Sequence, residues 1–330
     1  MNRNEPGYRF ALISDIHIDR ENGGENTYFI YAERNFERAL RVIKERKCDF
    51  IISAGDQITN ASGQEEEWRV YRSIIEASGY KGGLCAAMGN HELRSAKYGL
   101  STVGECIADF IRYTEPDRRD ISRAELNAPY YYFIEPVFGD AYIFMATEIG
   151  VDVNQLDDFS DAQMAWVERL VKRFTGERRR IFLIQHANLY GFGAGDDPGS
   201  PAYKGSIRTA DKDGRAFKNN LRFKSLIEEY RDIIWVSGHT HTDFEDNVNY
   251  CEKSEKACHM IHIPALCGTT RLSRDRQGNR TLDRRFYEDT SQGYIVDVYK
   301  DRTVFSGINF YFDSLYPQYI FTVKNRLSEQ

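Results

Sequence analysis

The sequence predicts an α/β protein, and three observations carry that prediction. Short apolar runs rich in β-branched and aromatic residues recur along the chain; most of them end in Gly, Asp, Asn or His; and amphipathic segments of helical period fill the gaps between them. Strands covered on both faces read as continuous apolar runs, and their alternation with helices marks a sheet flanked by helices.

The elements follow in order. Residues 8–14 (YRFALIS), 49–54 (DFIISA) and 84–88 (LCAAM) are the first predicted strands, and 141–146, 181–185 and 233–237 are the next. A helix over 29–47 places Phe29, Phe36, Leu40 and Ile43 on one face. A second over 64–78 turns Trp68, Tyr71, Ile74 and Ile75 inward. A third over 161–174 opens on Ser160, with Gln163 three residues later as a capping box. A fourth covers 217–230. After residue 260 the pattern changes: 260–265, 293–299, 303–310 and 319–323 read as strands joined by turns, with no long helix, and are expected to build a second sheet packed on the first. No linker, repeat or low-complexity tract divides the chain, so residues 1–330 are read as one domain. The polar, Gly-rich stretch 187–219 predicts a long loop of the length that often serves as a lid.

Composition narrows the function classes. An apolar fraction of 41% and a charged fraction of 28% suit a packed core. The net charge of −6 carries no basic stripe, so general nucleic-acid binding is not expected. An anion site in such a chain needs positive charge supplied locally, as metal ions do. The six cysteines form no C-x-x-C pair. Cys48 and Cys85 read as small buried hydrophobes, and the same reading is set ahead of a metal or disulfide set for Cys251, Cys258 and Cys267. The N-terminus lacks an apolar stretch with a cleavage site, and no segment reaches the length of a membrane span, so a cytoplasmic location is expected.

The histidines carry the chemistry. Of seven, five stand in short blocks directly after predicted strands. Asp15 and His17 follow the first as D-I-H, Asp56 the second as G-D-Q, and Asn90, His91 and Glu92 the third as G-N-H-E. His186 follows 181–185, and His239 and His241 follow 233–237 as G-H-T-H. Ligands of open α/β sheets gather outside the carboxyl ends of the strands, so these blocks are expected to converge. Imidazole and carboxylate are ordinary ligands of zinc, manganese and iron. A tetrahedral ion needs four ligands; the set Asp15, His17, Asp56, Asn90, His186, His239 and His241 suits two ions sharing one carboxylate. Gly55, Gly89 and Gly238 precede ligands where the backbone must turn tightly. In an extended segment, residues two apart face one side, which pairs Asp15 with His17 and His239 with His241.

Taken together, these ordered blocks resemble the signature of the calcineurin-like metallophosphoesterases, over about residues 8–241. The resemblance implies a four-layer α/β/β/α sandwich of two mixed sheets flanked by helices, with a dinuclear centre at the strand ends. It implies one manganese, iron or zinc ion, divalent or trivalent, on Asp15, His17, Asp56 and His241. A second would lie on Asp56, Asn90, His186 and His239, with Asp56 bridging. His91 is then expected as general acid, its ring oriented by Glu92, while a hydroxide shared by the metals attacks a phosphate ester of a small molecule or nucleotide. Thr59 stands where protein phosphatases of the superfamily carry a second Asp and purple acid phosphatases a Tyr. The run G-D-Q-I-T-N-A-S with E-E-E-W downstream is more similar to the bacterial branch that includes cyclic-nucleotide phosphodiesterases. Ala187 replaces the family's usual continuation after His186.

Other residues have blander readings. His259 and His262 are expected to be structural, with His262 a weaker candidate for the site's rim. Arg94 reads as a solvated cation near a phosphate site, 178–180 as a charged turn, and 130–133 as a strand. Tyr190, Phe192 and Lys204 fall in the long loop. The rival functions are a catalytically silent scaffold of the same fold and a single-metal hydrolase; metal content separates all three.

Overall fold

The computed structural model describes residues 5–20, 30–59, 64–114, 121–125, 127–148, 159–191, 193–195, 207–210, 213–252, 254–278 and 280–325. Phe29, residues 60–62, Phe192, Lys204 and much of the predicted 187–219 loop lie outside them. In chain order the strands are β1 (Tyr8–Ile13), β2 (Phe50–Ser53), β3 (Leu84–Ala86), β4 (Ser122–Arg123), β5 (Tyr131–Ile134), β6 (Ala141–Phe144), β7 (Ile181–Ile184) and β8 (Ile233–Ser237). They continue with β9 (Tyr250–Glu252), β10 (His259–His262), β11 (Thr269–Arg274), β12 (Arg280–Tyr287), β13 (Gln292–Val298), β14 (Arg302–Asn309) and β15 (Ser314–Lys324). The helices are α1 (Ala32–Glu45), α2 (Gln64–Ser78), α3 (Arg94–Lys97), α4 (Val103–Thr114), α5 (Asp161–Gly176) and α6 (Lys218–Glu229).

Two mixed sheets form the centre. One has the order β15-β14-β13-β1-β2-β3, the other β4-β5-β6-β7-β8-β10-β9, and β11 and β12 make a separate hairpin. The motif-bearing strands β1, β2 and β3 run parallel, as do β6, β7 and β8. The expected second sheet from residues 260–323 is not what forms. β10 pairs in parallel with β8, whereas β13 pairs antiparallel with β1 and carries β14 and β15. The C-terminal strands therefore extend both sheets, because the open edges of β1 and β8 each take one.

Alternation along each strand divides the core. Phe10, Leu12, Phe50, Ile52, Tyr142, Phe144, Phe182, Ile184, Ile234 and Val236 meet between the sheets. Ala11, Ile13, Ile51, Ile143, Leu183 and Trp235 face outward among helix residues such as Phe36, Leu40, Val167 and Phe223. Two-sided burial explains why these strands read as unbroken apolar runs. Across the inner layer, the Phe10 ring stacks on Phe50 at 5.1 Å and meets Tyr142 edge-on at 5.8 Å. Helices α1, α2 and α4 pack together on the β3 side, and α5 and α6 on the β7 side. The result is the α/β/β/α arrangement.

Local differences have physical reasons. Helix α4, which carries buried Cys106, Phe110 and Tyr113, stands outside the helices expected from periodicity. The α5 capping box is half formed. Gln163 N–H donates to Ser160 Oγ at 3.1 Å, but the Gln163 side chain turns to both backbone groups of Ala146, and Glu148 takes the Ser160 N–H. None of the six cysteines forms a disulfide. Among the described residues, no helix is long and apolar enough to cross a membrane.

Candidate metal centre

The loops that leave β1, β2, β3, β7 and β8 meet where the two sheets touch. Residues 15–18 and 56–59 prolong the β1–β2 pairing: His17 N–H donates to Asp56 O and Ile18 N–H to Gln57 O. The sheets are tied there by Thr147 N–H to Met88 O, Leu266 N–H to Ser14 O and Cys267 N–H to Asp15 O. All seven candidate ligands lie in this seam. Asp15, His17, Asp56 and His186 are buried, while Asn90, His91, His239 and His241 are partly exposed and form its mouth.

Two overlapping groups result. His17 Nε2 is 2.9 Å from His241 Nε2, which is 3.1 Å from Asp15 Oδ1. Asp56 Oδ2 lies 3.6 Å from His17 Nε2 and 3.0 Å from His186 Nε2. His186 Nε2 is in turn 3.1 Å from both Asn90 Oδ1 and His239 Nδ1. Donor atoms of Asp15, His17, Asp56 and His241 all lie within 4.8 Å of one another, as do those of Asp56, His186 and His239. Asp56 belongs to both groups.

The backbone is strained in the same places. Asp15, His17, Asp56, His239 and His241 have φ of 55°, 54°, 55°, 75° and 56°. This left-handed region is sparsely used by residues with a Cβ, costs about 1–3 kcal/mol each and clusters at functional sites. The paired residues thus reach one site through bends, not along the extended segments that their spacing suggested. Two glycines fit between ligands: a Cβ on Gly89 would strike Asp56 Oδ1, and one on Gly238 would strike Ser14 Oγ and Asp15 Oδ2.

Electrostatics suit a cation. Burial pushes His17 and His239 down to about 3, so both imidazoles are neutral at pH 7. Burial pushes Asp15 and Asp56 upward, but the surrounding imidazoles outweigh it and hold both carboxylates well below their ordinary range. His186 is the exception: burial lowers it, yet Asp56 beside it raises it to about 9. Only one proton fits between His17 Nε2 and His241 Nε2, and Asp15 Oδ1, 3.1 Å from His241 Nε2, competes for the same donor. Lone pairs facing lone pairs are stabilised by a shared positive ion, and this mixed N/O set fits zinc, manganese or iron.

The remaining site residues divide. His91 N–H donates to Asp56 Oδ1 at 2.9 Å, and its ring lies edge-on to His17 at 4.5 Å. His91 Nδ1 is 3.0 Å from the Thr59 carbonyl, which fixes the proton on Nδ1. Glu92, expected to steer that ring, accepts from the backbone N–H groups of Gly89, Gln57 and Asp56 at 2.6, 2.6 and 3.2 Å. Burial, then the charge of Asp56, raises Glu92 to about 8. Glu92 staples the second and third loops together. Thr59, read only as a departure from other subfamilies, takes over the orientation of His91. Arg94 Nη1 is 3.4 Å from His91 Nδ1. It has no carboxylate within ion-pair distance among the described residues.

Such a sandwich gathers His and Asp side chains at the strand ends of both sheets, a donor set suited to cations. The chain belongs to the calcineurin-like phosphoesterase family, whose model matches residues 8–243. It is on that ground a metal-dependent phosphoesterase. Among solved structures, a dimetal phosphatase from Danio rerio is similar at TM-score 0.57 and 12% identity, covering 97% of this chain and 100% of that one. A purple acid phosphatase from yellow lupin (Lupinus luteus) seeds is similar at TM-score 0.58 and 15% identity, covering 97% of this chain and 55% of that one. GAP50, described as the anchor in the inner membrane complex of Plasmodium, is similar at TM-score 0.50 and 13% identity, covering 96% and 88%. At these identities the likeness is one of fold. A search of curated protein sequences finds no match.

Proposed function

We propose that the chain hydrolyses phosphate esters of a small molecule or nucleotide at a two-cation centre. In this reading Asp15, His17, Asp56 and His241 hold one ion, and Asp56, Asn90, His186 and His239 hold the other. The observation that carries it is the position of Asp56, whose Oδ2 lies 3.6 Å from His17 Nε2 in one group and 3.0 Å from His186 Nε2 in the other. Manganese, iron or zinc bound there would acidify a water and neutralise phosphate oxygens.

The protein's own groups would do the rest. With Nδ1 turned to Thr59, His91 meets the substrate through Nε2. Burial lowers its proton affinity in the anion-free chain; a phosphate beside it restores that affinity, so His91 acquires the proton that the leaving oxygen needs. Arg94 adds fixed positive charge at the mouth. Thr59 in place of the second Asp of protein phosphatases favours small substrates, and the 55–62 run supports a branch that acts on diesters of the cyclic-nucleotide kind.

Elemental analysis of the wild-type chain should give close to two metals per chain, and Asp56→Ala or His239→Ala should lower nitrophenyl phosphate hydrolysis more than about 100-fold, beyond the effect typical of changing a ligand's partner. Full activity in both variants would end this reading. The rival of a silent scaffold, which a fold neighbour described as an anchor keeps in view, requires metal-loaded protein that leaves mono- and diesters intact.

A further inference from the structure

We infer that His262, Asn247 and Thr240 form a hydrogen-bonded brace that sets the directions of the two cation-binding histidines on either side of Thr240. The inference rests on the reading of His239 and His241 as ligands. His262 ends β10, in register with Ser237 at the end of β8, so its side chain lies beside the G-H-T-H turn. Its ring is fully buried.

The protons can be placed step by step. Val248 N–H donates to Asn247 Oδ1 at 2.8 Å, which identifies that atom as the oxygen and turns the Asn247 amide nitrogen toward the ring. Asn247 Nδ2 lies 3.2 Å from His262 Nδ1, and an amide NH₂ only donates, so Nδ1 accepts. The ring proton therefore sits on Nε2, 2.8 Å from Thr240 Oγ1, and the Gly238 carbonyl of the same turn is a further acceptor of the ring. Asn247 Nδ2 and Thr242 N–H, each 3.3 Å away, share the second lone pair of Thr240 Oγ1. His262 and Asn247, both outside the G-H-T-H block, thus converge on one hydroxyl within it.

That hydroxyl belongs to the residue between two left-handed ones, His239 at φ 75° and His241 at φ 56°. A turn with two such residues needs an anchor outside itself, and the brace supplies one. Gly195 packs against the Cδ2–Cγ edge of the His262 ring, where a Cβ would come within 2.5 Å of Cδ2. His262 N–H donates to Asn249 O and its carbonyl accepts from Tyr294 OH at 3.0 Å, which fixes the backbone as well. His262 is thus a positioning residue, which would act on bound cations only through His239 and His241.

The test is a manganese titration of the 330-residue chain after metal stripping, with folding followed by thermal unfolding without metal. Thr240→Val keeps the shape and removes the hydroxyl; His262→Leu removes the donor. Both should weaken manganese binding about 10–100-fold, the range for partners of metal ligands. Thr240→Ser and His262→Gln, which retain the acceptor and the Nε2-like donor, should recover most of the affinity. Should His262→Leu fail to fold, Thr240→Val decides. A folded Thr240→Val chain with wild-type manganese affinity overturns the brace and leaves the two-cation reading standing. A wild-type chain that takes up no manganese, iron or zinc overturns both.

Discussion

The two ends of the sandwich bury charge in opposite ways. At the amino ends of β1, β6 and β7, Arg180 Nε donates to Asp140 Oδ1 at 3.1 Å, and its other nitrogens donate to Thr303 Oγ1, Arg302 O and Tyr299 O. Tyr8 OH completes the set by donating to Asp140 Oδ2 at 2.6 Å. Donors there meet acceptors. At the carboxyl ends, imidazole nitrogens face each other and face carboxylates, and the residues that carry them hold left-handed φ. Burial of ionisable groups therefore does not by itself mark a functional site. The mark is a cluster whose internal partners cannot satisfy it.

The largest effect should come from acidifying the metal-stripped chain, which loads the carboxyl end with several imidazoles and the amino end with His259 alone among the described residues. His17 is held near 3 and His262 near 4 by burial, against about 6.5 when unfolded. Between those values the unfolded state binds more protons, so stability falls as pH drops from 6.5 toward 4, by about 1.4 kcal/mol per unit for each imidazole. His186 works the other way: raised to about 9, it stabilises fully below 6.5, and that contribution is lost as pH rises through 9. Urea midpoints at pH 7, 5.5 and 4.5 in chelator should fall steadily. A flat profile would mean that these imidazoles are not buried in their neutral form.

The next effect isolates the other end. Arg180→Met leaves Asp140 buried without its cation, and breaking a buried pair costs about 3–5 kcal/mol. Manganese affinity of the folded variant should equal that of the wild type, because every contact of Arg180 lies at the amino ends. A variant that lost metal in proportion to stability would show that the two ends are coupled through the inner core.

The same contrast explains what could be read in advance. The ligand blocks were legible because each follows a strand apolar on both faces and because glycine precedes Asp56, Asn90 and His239. Backbone sign was not: no feature of Asp15 or His241 announces a φ near +55°, which arises when two loops must bend around one point. Nor was the pairing of β1 with β13, since period-two patterning selects a strand's faces but not its neighbour. The backbone partners of Glu92 were hidden for a similar reason: the N–H groups of Gln57 and Asp56 that it holds are distant in sequence. His262 gave no local signal, because Thr240 is brought to it only by the register of β10 on β8.

The smallest effect serves as the control for both ends. Ser160 caps α5 by accepting from Gln163 N–H, and its hydroxyl donates to Glu148 Oε1 at 2.8 Å. Ser160→Ala removes both contacts and should cost about 1 kcal/mol, the ordinary value of an N-cap. The Gln163 side chain would still hold both backbone groups of Ala146, and through Thr147 N–H and Met88 O the third ligand loop would stay in place. Metal affinity should therefore be unchanged while the urea midpoint falls slightly. A measurable loss of manganese in this variant would show that the cap, not Gln163, anchors the seam between the sheets, and that general destabilisation alone disturbs the site.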